Sequence, residues 1–383
     1  MKKIYIANPF IDNDDINYAY RALKSKWISS RGEFVQKFEQ KFKNFFKGGF
    51  PLAVSNGTTA LELAIKSLGI KNGDEIIVPN FTFAASVNSI LNCNVTPVLA
   101  DVEKDTWTIK LSEIKKKVSK KTKAIMIVHI YGQSCRIDEI KAFAKKKKLF
   151  LIEDCAEALG AKYKGRLVGL DGDCSCHSFY ANKTITTGEG GMVVFKKKTH
   201  FNKAQIIKNH GMSKKKYFHE YIGSNYRITN IQAAIGFSQM NKINKLISMR
   251  KAIFKNYDDL LNNKYFYKIP RNNWSTNSYW LYYIIIKKKI SRKKIIDKLL
   301  LKGIEVSPTF YPLNTMKIYK KYANGNFENS KKIGFNGICL PSSGVTLGQQ
   351  KYMVKSLLQI LKIQMKKKAL ITGVTGQDGS SLA

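Results

Sequence analysis

The chain has 383 residues, of which 44% are hydrophobic, enough for a buried core and for more than one compact domain. No apolar run reaches the roughly 20 residues that a membrane-spanning helix needs. The N-terminal residues also do not have the long apolar stretch of a signal peptide. We therefore expect a cytoplasmic protein that makes no contact with a membrane.

The net charge of +39 is the most unusual feature of the composition. A charge of this sign and size also occurs in proteins that bind nucleic acid. Lysine dominates here, however, in runs such as 145–148 and 214–216, whereas arginine, the preferred reader of bases and phosphates, is scarce. We interpret the charge as a lysine-rich composition and expect no nucleic-acid partner. A basic surface also favours recruitment of an anionic substrate.

The six cysteines do not have the paired C-x-x-C spacing of a metal site. Cys174 and Cys176 are two residues apart, so on a strand they share one face. We expect buried, reduced thiols, as in a reducing compartment, and no bound metal.

Short apolar runs alternate with helical patterns through the first two-thirds of the chain. Helices are predicted at 60–68, where Gly69 ends the pattern, and at 137–148. The apolar runs predict buried strands at 75–78, 98–100, 124–130, 150–152 and 192–195. Strands that alternate with helices predict a largely parallel sheet covered on both sides.

The pattern changes after about residue 245. A strand is predicted at 280–287, a helix at 291–302, and a last helix opened by a capping box at Thr346 and Gln349. We predict a large domain over 1–245 and a smaller α+β domain over 246–364, joined by a long helix through roughly 230–262.

The last residues form a separate segment, 365–383. A predicted strand at 369–372 runs into G-x-x-G-x-x-G at Gly373, Gly376 and Gly379, which is the start of a dinucleotide-binding unit. The helix and second strand of such a unit do not follow. We expect no nucleotide site in this segment and expect it to be a disordered run-on tail.

Two segments offer a phosphate site and an aromatic ring. Residues 55–59 open the helix predicted at 60–68, and the amides and hydroxyls at a helix N-terminus bind phosphate. Gly57 allows close approach of the backbone. Phe83 follows a strand and Pro79, where a ring can stack on a flat cofactor. Taken alone, the first segment is better explained by an ordinary N-cap, and the second equally well by a core phenylalanine.

Two further segments offer a carboxylate and an amine. Asp154 lies at the end of an apolar strand, where parallel sheets bind ligands, and a carboxylate there can keep a pyridine nitrogen protonated. Lys183 lies 29 residues later, before a glycine-rich turn, and a lysine amine forms a Schiff base with an aldehyde cofactor. Alone, these residues are explained by a structural aspartate and a surface lysine. The order and spacing of all four segments predict pyridoxal 5'-phosphate (PLP) as the cofactor.

These segments, with the motifs at 27–32 and 226–230, make residues from about 4 to 363 resemble the DegT/DnrJ/EryC1/StrS family of nucleotide-sugar aminotransferases. The resemblance implies the α/β fold of the aspartate-aminotransferase type, fold type I, with a large mostly parallel sheet domain and a smaller C-terminal α+β domain. It also implies an obligate homodimer whose active sites are shared between the subunits.

The resemblance assigns roles to individual residues. It implies that Lys183 carries the cofactor, that Asp154 pairs with the pyridine nitrogen, and that Phe83 stacks on the ring. Glu157, where many relatives carry Gln or His, is expected near the ring hydroxyl. The remaining residues are expected to bind the cofactor phosphate, from one subunit Gly57, Thr58, Thr59 and Ser178 and from the other Asn225, or to contact the substrate, namely Trp27, Arg227 and Tyr311.

Within the family, residues 27–30, 153–158, 182–192 and 310–312 are most similar to enzymes that aminate C4 of GDP-4-keto-6-deoxymannose with L-glutamate, for polysaccharide (O-antigen) biosynthesis. Residues 365–379 resemble the N-terminus of GDP-mannose 4,6-dehydratase, which makes this keto-sugar. A UDP- or dTDP-linked keto-sugar is the alternative substrate. The related sugar dehydratases commonly carry His in place of the Schiff-base lysine, whereas this chain keeps Lys183. A short-chain dehydrogenase is suggested only by the tail.

Overall fold

The computed structural model describes residues 3–261, 264–287 and 291–371. Its α-helices are α1 (Asn13–Lys24), α2 (Glu33–Phe46), α3 (Gly57–Ser67), α4 (Ala84–Asn92), α5 (Leu111–Lys117), α6 (Ile137–Lys146), α7 (Lys198–Lys208), α8 (Asn230–Asn241), α9 (Ile243–Leu260), α10 (Arg292–Leu301), α11 (Glu328–Asn336) and α12 (Leu347–Ile371).

The strands are β1 (Phe50–Val54), β2 (Glu75–Pro79), β3 (Thr96–Ala100), β4 (Thr122–Val128), β5 (Phe150–Asp154), β6 (Lys162–Tyr163), β7 (Arg166–Leu167), β8 (Cys174–Ser178), β9 (Gly191–Phe195), β10 (Phe266–Lys268), β11 (Ser275–Thr276), β12 (Tyr282–Ile286), β13 (Ser307–Pro308) and β14 (Gly337–Leu340).

The large sheet has seven strands in the order β1-β9-β8-β5-β4-β2-β3. Pairs β2–β3, β2–β4, β4–β5 and β5–β8 are parallel, and β9 runs antiparallel to both of its neighbours. The strands are apolar and buried because helices cover both faces of the sheet. The predicted fold, a mostly parallel sheet of fold type I, is confirmed.

A second, four-stranded sheet has the order β10-β12-β14-β13 and is antiparallel throughout. The strand predicted at 280–287 is β12, and the helix predicted at 291–302 is α10, capped by the Ser291 side chain. The capping box before α12 is also confirmed, since Thr346 and Gln349 exchange backbone-to-side-chain hydrogen bonds of 2.9 and 3.2 Å.

The predicted long helix through 230–262 is wrong in one respect, because it is two helices, α8 and α9, that meet at Lys242. Lys242 has φ −117° and ψ 17°, outside the helical region. Its ammonium group forms ion pairs with Asp12 and Asp15 at the start of α1. The helix α8 packs on α1 and α2, whereas α9 packs on α12. The break at Lys242 therefore allows the two halves of this segment to pack against different groups of helices.

The division at residue 245 stays a prediction, and packing crosses it in both directions. Ile4 pairs with Ile304 and belongs to the hydrophobic core of the small sheet. Leu313, Tyr319 and Phe327 belong to the core beside the large sheet. The two sheets are therefore tied together at both ends of the chain.

The strand predicted at 369–372 is wrong where the structure describes it, because α12 continues to Ile371. A lone strand has no neighbour for its amides and carbonyls, whereas a helix pairs them internally. Residues 372–383, with the glycine-rich motif and most of the tail expected to be disordered, lie outside the described residues.

Two expectations from composition can be compared with the described residues. None of the helices in this part of the chain combines the length and the apolar character needed to span a bilayer. All six cysteines are free thiols, and five of them, including Cys174 and Cys176 on β8, are buried.

Candidate active site

A cavity of about 570 Å³ opens where β4, β5 and β8 end. Ligands of parallel sheets bind at the carboxyl ends of the strands, because the loops that follow leave a crevice there. The cavity is lined by all eight cofactor-site residues that the sequence predicts from one subunit, namely Gly57, Thr58, Thr59, Phe83, Asp154, Glu157, Ser178 and Lys183.

A larger cavity of about 880 Å³ is lined by the β6–β7 hairpin and α9. Its carboxylate, Asp171, is already paired with Lys141 at 2.6 Å, and none of the predicted site residues lines it. We therefore identify the smaller cavity as the candidate active site.

Asp154 is the last residue of β5, and its side chain is only 5% exposed. Its carboxylate accepts hydrogen bonds from Ser86 Oγ at 2.8 Å and from the Ala156 N–H at 3.1 Å. Burial raises the pKa of this carboxyl, against the hydrogen bonds from Ser86 and Ala156 and the charge of Lys183, which lower it. The carboxylate is fixed in orientation and faces the cavity, as a partner for a protonated ring nitrogen must be.

Lys183 extends into the cavity from the segment after β8, and its Nζ lies 3.6 Å from the centroid of the Trp280 ring. Burial lowers the pKa of the Lys183 amine, the carboxyl groups of Glu157 and Asp154 raise it, and the charge of Arg250 lowers it. A lowered pKa increases the fraction of free amine. The free amine is the form that acts as a nucleophile and as a general base.

Glu157 lies one residue beyond Ala156 and is also 5% exposed. Its carboxylate accepts the backbone N–H of Tyr131 at 2.7 Å. Burial raises the pKa of Glu157 to about 7, although Lys183 and the Tyr131 hydrogen bond lower it, and Asp154 raises it further. Tyr131 has φ 49°, a left-handed conformation that is uncommon outside glycine and often found at functional sites.

The N-terminus of α3 forms the opposite end of the cavity. Asn56 caps the helix by accepting the Thr59 N–H at 2.9 Å, and the Thr59 hydroxyl is engaged with the Asn56 backbone. Within the described residues, the N–H groups of Gly57 and Thr58 have no protein acceptor. A Cβ at Gly57 would lie 2.9 Å from Cβ of Ser178, so glycine lets α3 approach the Ser178 hydroxyl.

These features fit PLP. The unpaired N–H groups at the start of an 11-residue helix suit a phosphate. Asp154 suits the ring nitrogen and Lys183 the aldehyde. Phe83 at the rim is 58% exposed, and its ring is 5.6 Å from that of Phe310, so an apolar face remains open to a flat ring.

Four predicted site residues do not line this cavity. Asn225 is on an exposed loop, and Trp27 is 60% exposed. Arg227 lines a separate cavity of about 550 Å³. Tyr311 is 45% exposed, with its ring over Arg292, although its neighbour Phe310 does reach the active-site cavity. Their roles stay predictions.

Several residues around the cavity carried no sequence signal strong enough to predict them. Ser86 lies on the first turn of α4, three residues after Phe83, where a serine is equally compatible with an ordinary helix start. Trp280 and Phe310 reach the cavity from the C-terminal part of the chain. Arg250 lies on α9, in a helical pattern that any exposed lysine-rich helix also shows.

His129, Glu153 and Cys155 form a buried group behind β5 whose polar atoms lie within 4.8 Å of one another. His129 Nδ1 accepts the Cys135 N–H, so Nε2 carries the hydrogen that it donates to Glu153 at 3.0 Å. Glu153 also accepts three backbone N–H groups from residues 169–172. Because these atoms are already engaged, the group acts as a hydrogen-bonded support for the strand that carries Asp154.

Residues 9–358 match the DegT/DnrJ/EryC1/StrS aminotransferase family, and the chain belongs to that family. It is therefore a PLP-dependent aminotransferase, as the cavity indicates. The chain is 43% identical to GDP-perosamine synthase of Escherichia coli O157:H7, over 89% of this chain and 94% of the relative. It is 40% identical to GDP-perosamine synthase of Vibrio cholerae, over 88% of this chain and 94% of the relative.

Solved structures agree with this assignment. PseC of Helicobacter pylori, an aminotransferase involved in the biosynthesis of pseudoaminic acid, is 28% identical and superimposes with a TM-score of 0.89. The match covers 94% of this chain and 100% of PseC. The fold over nearly the whole chain is therefore that of an aminotransferase.

Proposed function

We propose that this enzyme is a GDP-perosamine synthase that transfers an amino group from L-glutamate to C4 of GDP-4-keto-6-deoxymannose, for polysaccharide (O-antigen) biosynthesis. The observation that carries the proposal is the cavity lined by both Lys183 and Asp154, in a chain that is 43% and 40% identical to GDP-perosamine synthases over nearly their whole length.

The positions of the residues support the following roles in the proposed reaction. When bound, PLP supplies an aldehyde for the donor amine and a ring that withdraws electrons from the reacting carbon. Asp154 holds the proton on the ring nitrogen. The Lys183 amine takes a proton from the α-carbon of glutamate and later returns one to C4 of the sugar. The N–H groups of Gly57 and Thr58, with the Ser178 hydroxyl, hold the phosphate.

The substrate assay is direct. Purified enzyme with L-glutamate is offered GDP-4-keto-6-deoxymannose and, in parallel, UDP- and dTDP-linked 4-keto-6-deoxy sugars, and the products are analysed by mass spectrometry. We expect replacement of the keto oxygen by an amine on the GDP sugar. A clear preference for the UDP or dTDP sugar would overturn the nucleotide assignment while leaving the aminotransferase chemistry intact.

We also propose that the active enzyme is a homodimer with shared active sites. One face carries large apolar side chains that are exposed in a single chain, including Ile222 at 96%, Tyr217 at 76% and Trp27 at 60%. Asn225 belongs to the same loop as Ile222. This loop lies near the Trp27 segment, because Asn209, which is bridged to Asn225, lines one cavity together with residues 29–31. Exposed apolar patches of this kind mark protein interfaces.

Mixing two inactive variants tests whether the site is shared. Lys183→Ala subunits lack the amine, and Asn225→Asp subunits place a negative charge where the resemblance implies a contact with the phosphate of the partner subunit. Mixed dimers contain one site with both native residues, so activity should return on mixing. If mixing restores no activity although mixed dimers form, each subunit's site is self-contained.

A further inference from the structure

Arg250 is a buried cation whose partners are backbone carbonyl groups. It lies on α9 and is 5% exposed. Within the described residues, no carboxylate forms an ion pair with it. Its guanidinium donates to the carbonyl of Lys183 at 2.8 Å, to that of Trp280 at 2.9 Å and, more weakly, to that of Asn182 at 3.4 Å.

A buried charge without a counter-ion is costly, and carbonyl groups offset only part of that cost. Burial lowers the pKa of Arg250 to about 10, which still leaves the side chain charged at neutral pH. A planar fork of five N–H donors can hold several carbonyl groups in one fixed arrangement, which a lysine cannot do. The position of Arg250 therefore calls for a role beyond filling space.

Trp280 also contacts the segment that carries Lys183. Its Nε1–H donates to the Asn182 carbonyl at 3.0 Å, and the face of its ring lies 3.6 Å from Nζ of Lys183. The ring face carries negative electrostatic potential and attracts an ammonium group. Arg250 and Trp280 thus contact both the main chain and the amine of the Lys183 segment.

We propose that Arg250 and Trp280 are positioning residues that fix the Lys183 segment and aim its amine into the cavity. Both residues belong to the C-terminal part of the chain, on α9 and just before β12, whereas Lys183 follows β8 of the large sheet. The contacts of Arg250 and Trp280 therefore make the placement of Lys183 depend on how the C-terminal part of the chain packs against the large sheet. The inference rests on the proposed role of Lys183 but not on the identity of the sugar nucleotide.

The first experiment measures the amine itself in enzyme freed of cofactor. Acetic anhydride labels free amines, and mass spectrometry of the Lys183 peptide over a pH series reports its protonation. The charged groups that face Lys183 are Glu157, Asp154 and Arg250. Arg250→Met removes the positive neighbour, so the pKa of Lys183 should rise and labelling at pH 8 should fall about threefold or more. Arg250→Lys keeps the charge and should stay within about twofold of the native protein.

The second experiment follows the half-reaction with L-glutamate by the absorbance of the bound cofactor. Both Arg250→Met and Arg250→Lys lose the fork, so kcat should fall about tenfold or more while KM for glutamate changes less than about twofold. Arg271→Met, which removes an exposed arginine paired with Asp258, is the matched control and should leave both constants unchanged. Native labelling together with native kcat in Arg250→Met would overturn the proposal.

Trp280→Phe keeps the test decisive if the Arg250 variants do not fold. It retains an aromatic ring but loses the single hydrogen bond to Asn182, so kcat should fall about three- to tenfold with KM unchanged. Trp274→Phe, at a tryptophan that packs on Tyr163, is the control. A loss of melting temperature with no change in kcat in Trp280→Phe would show a purely structural role and overturn the proposal.

Discussion

Two regions of the molecule differ in how completely a single chain buries and hydrogen-bonds their side chains. They are the inner wall of the active-site cavity and the exposed face around Ile222 and Trp27. On the inner wall, Asp154 and Glu157 are each 5% exposed and hydrogen-bonded within the chain. On the outer face, Ile222 and Trp27 expose 96% and 60% of their surface. A single chain therefore organises its own acid–base groups, whereas it leaves large apolar side chains exposed on the face that the proposed dimer would cover.

Replacing Lys183 with alanine should give the largest effect of any single change on the inner wall. In its proposed role Lys183 is both the attachment point of the cofactor and the general base, so kcat should fall on the order of 10³-fold or more. Borohydride reduction of the native enzyme should place the pyridoxyl group on Lys183 in peptide maps. Lys162→Ala, at an exposed lysine, is the control. Modification of a different lysine would contradict the assignment.

Asp154→Asn should be the next most damaging change. The amide cannot balance the charge of a protonated ring nitrogen, so kcat should fall about 100-fold or more. The start of α3 is unchanged, so binding of the cofactor phosphate should persist, as measured by titration of the apoenzyme. Asp138→Asn, which breaks an exposed ion pair with Lys164, is the control. Native kcat in Asp154→Asn would contradict the role of this carboxylate.

Ile222→Asp tests the outer face. Burial of an isoleucine side chain stabilises an interface by about 1.5–3 kcal/mol, so dimerisation should weaken about tenfold or more. Sedimentation velocity measures the dimer fraction, and activity should fall with it as the protein is diluted. Leu301→Asp, at a residue 88% exposed on α10, is the control. Unchanged association in Ile222→Asp would mean that this face is not the interface.

Glu157→Gln should have the smallest effect of these changes, and the effect should appear in how the stability of the folded protein depends on pH. Burial raises the pKa of Glu157 from 4.5 to about 7, so the folded protein holds this proton more tightly than the unfolded chain does. The resulting stability is fully present below pH 4.5 and is lost as the pH rises towards 7, by roughly 1–3 kcal/mol. Glutamine does not titrate, so the variant should lose this slope.

Melting temperatures of the cofactor-free protein between pH 4.5 and 7.5 measure that slope. Glu189→Gln, at an exposed glutamate on the rim of the cavity, is the control. A slope that is the same in Glu157→Gln and in the native protein would show that Glu157 is not the titrating group.

Local motifs made much of the cavity predictable. The helix start at residues 55–59 and the strand end at Asp154 each combine a periodic pattern with the residue types that such positions need. By contrast, Ser86 bonds to a carboxylate 68 residues away, and Arg250 bonds to a carbonyl 67 residues away. No local pattern encodes such pairs, because each residue is also compatible with an ordinary helix.

The errors have the same origin. The hydrophobic period alone predicted one continuous helix over 230–262. In the structure the helix is interrupted at Lys242, whose side chain forms ion pairs with two aspartates more than 200 residues earlier in the chain. The strand predicted at 369–372 rested on a glycine motif in the sequence, whereas α12 continues through residues 369–371.

The sequence by itself determined the order of strands and helices, the residues that meet at the carboxyl ends of the strands, and the family. Turn chemistry, hydrophobic period and motif spacing are local, and local terms can be read along a chain. Only the tertiary structure decided the directions in which the pKa values of Asp154, Glu157 and Lys183 shift, the contacts of Arg250 and Trp280 with the Lys183 segment, and the apolar face left exposed. Those depend on burial and on charges brought together from distant segments, which have no period in the sequence.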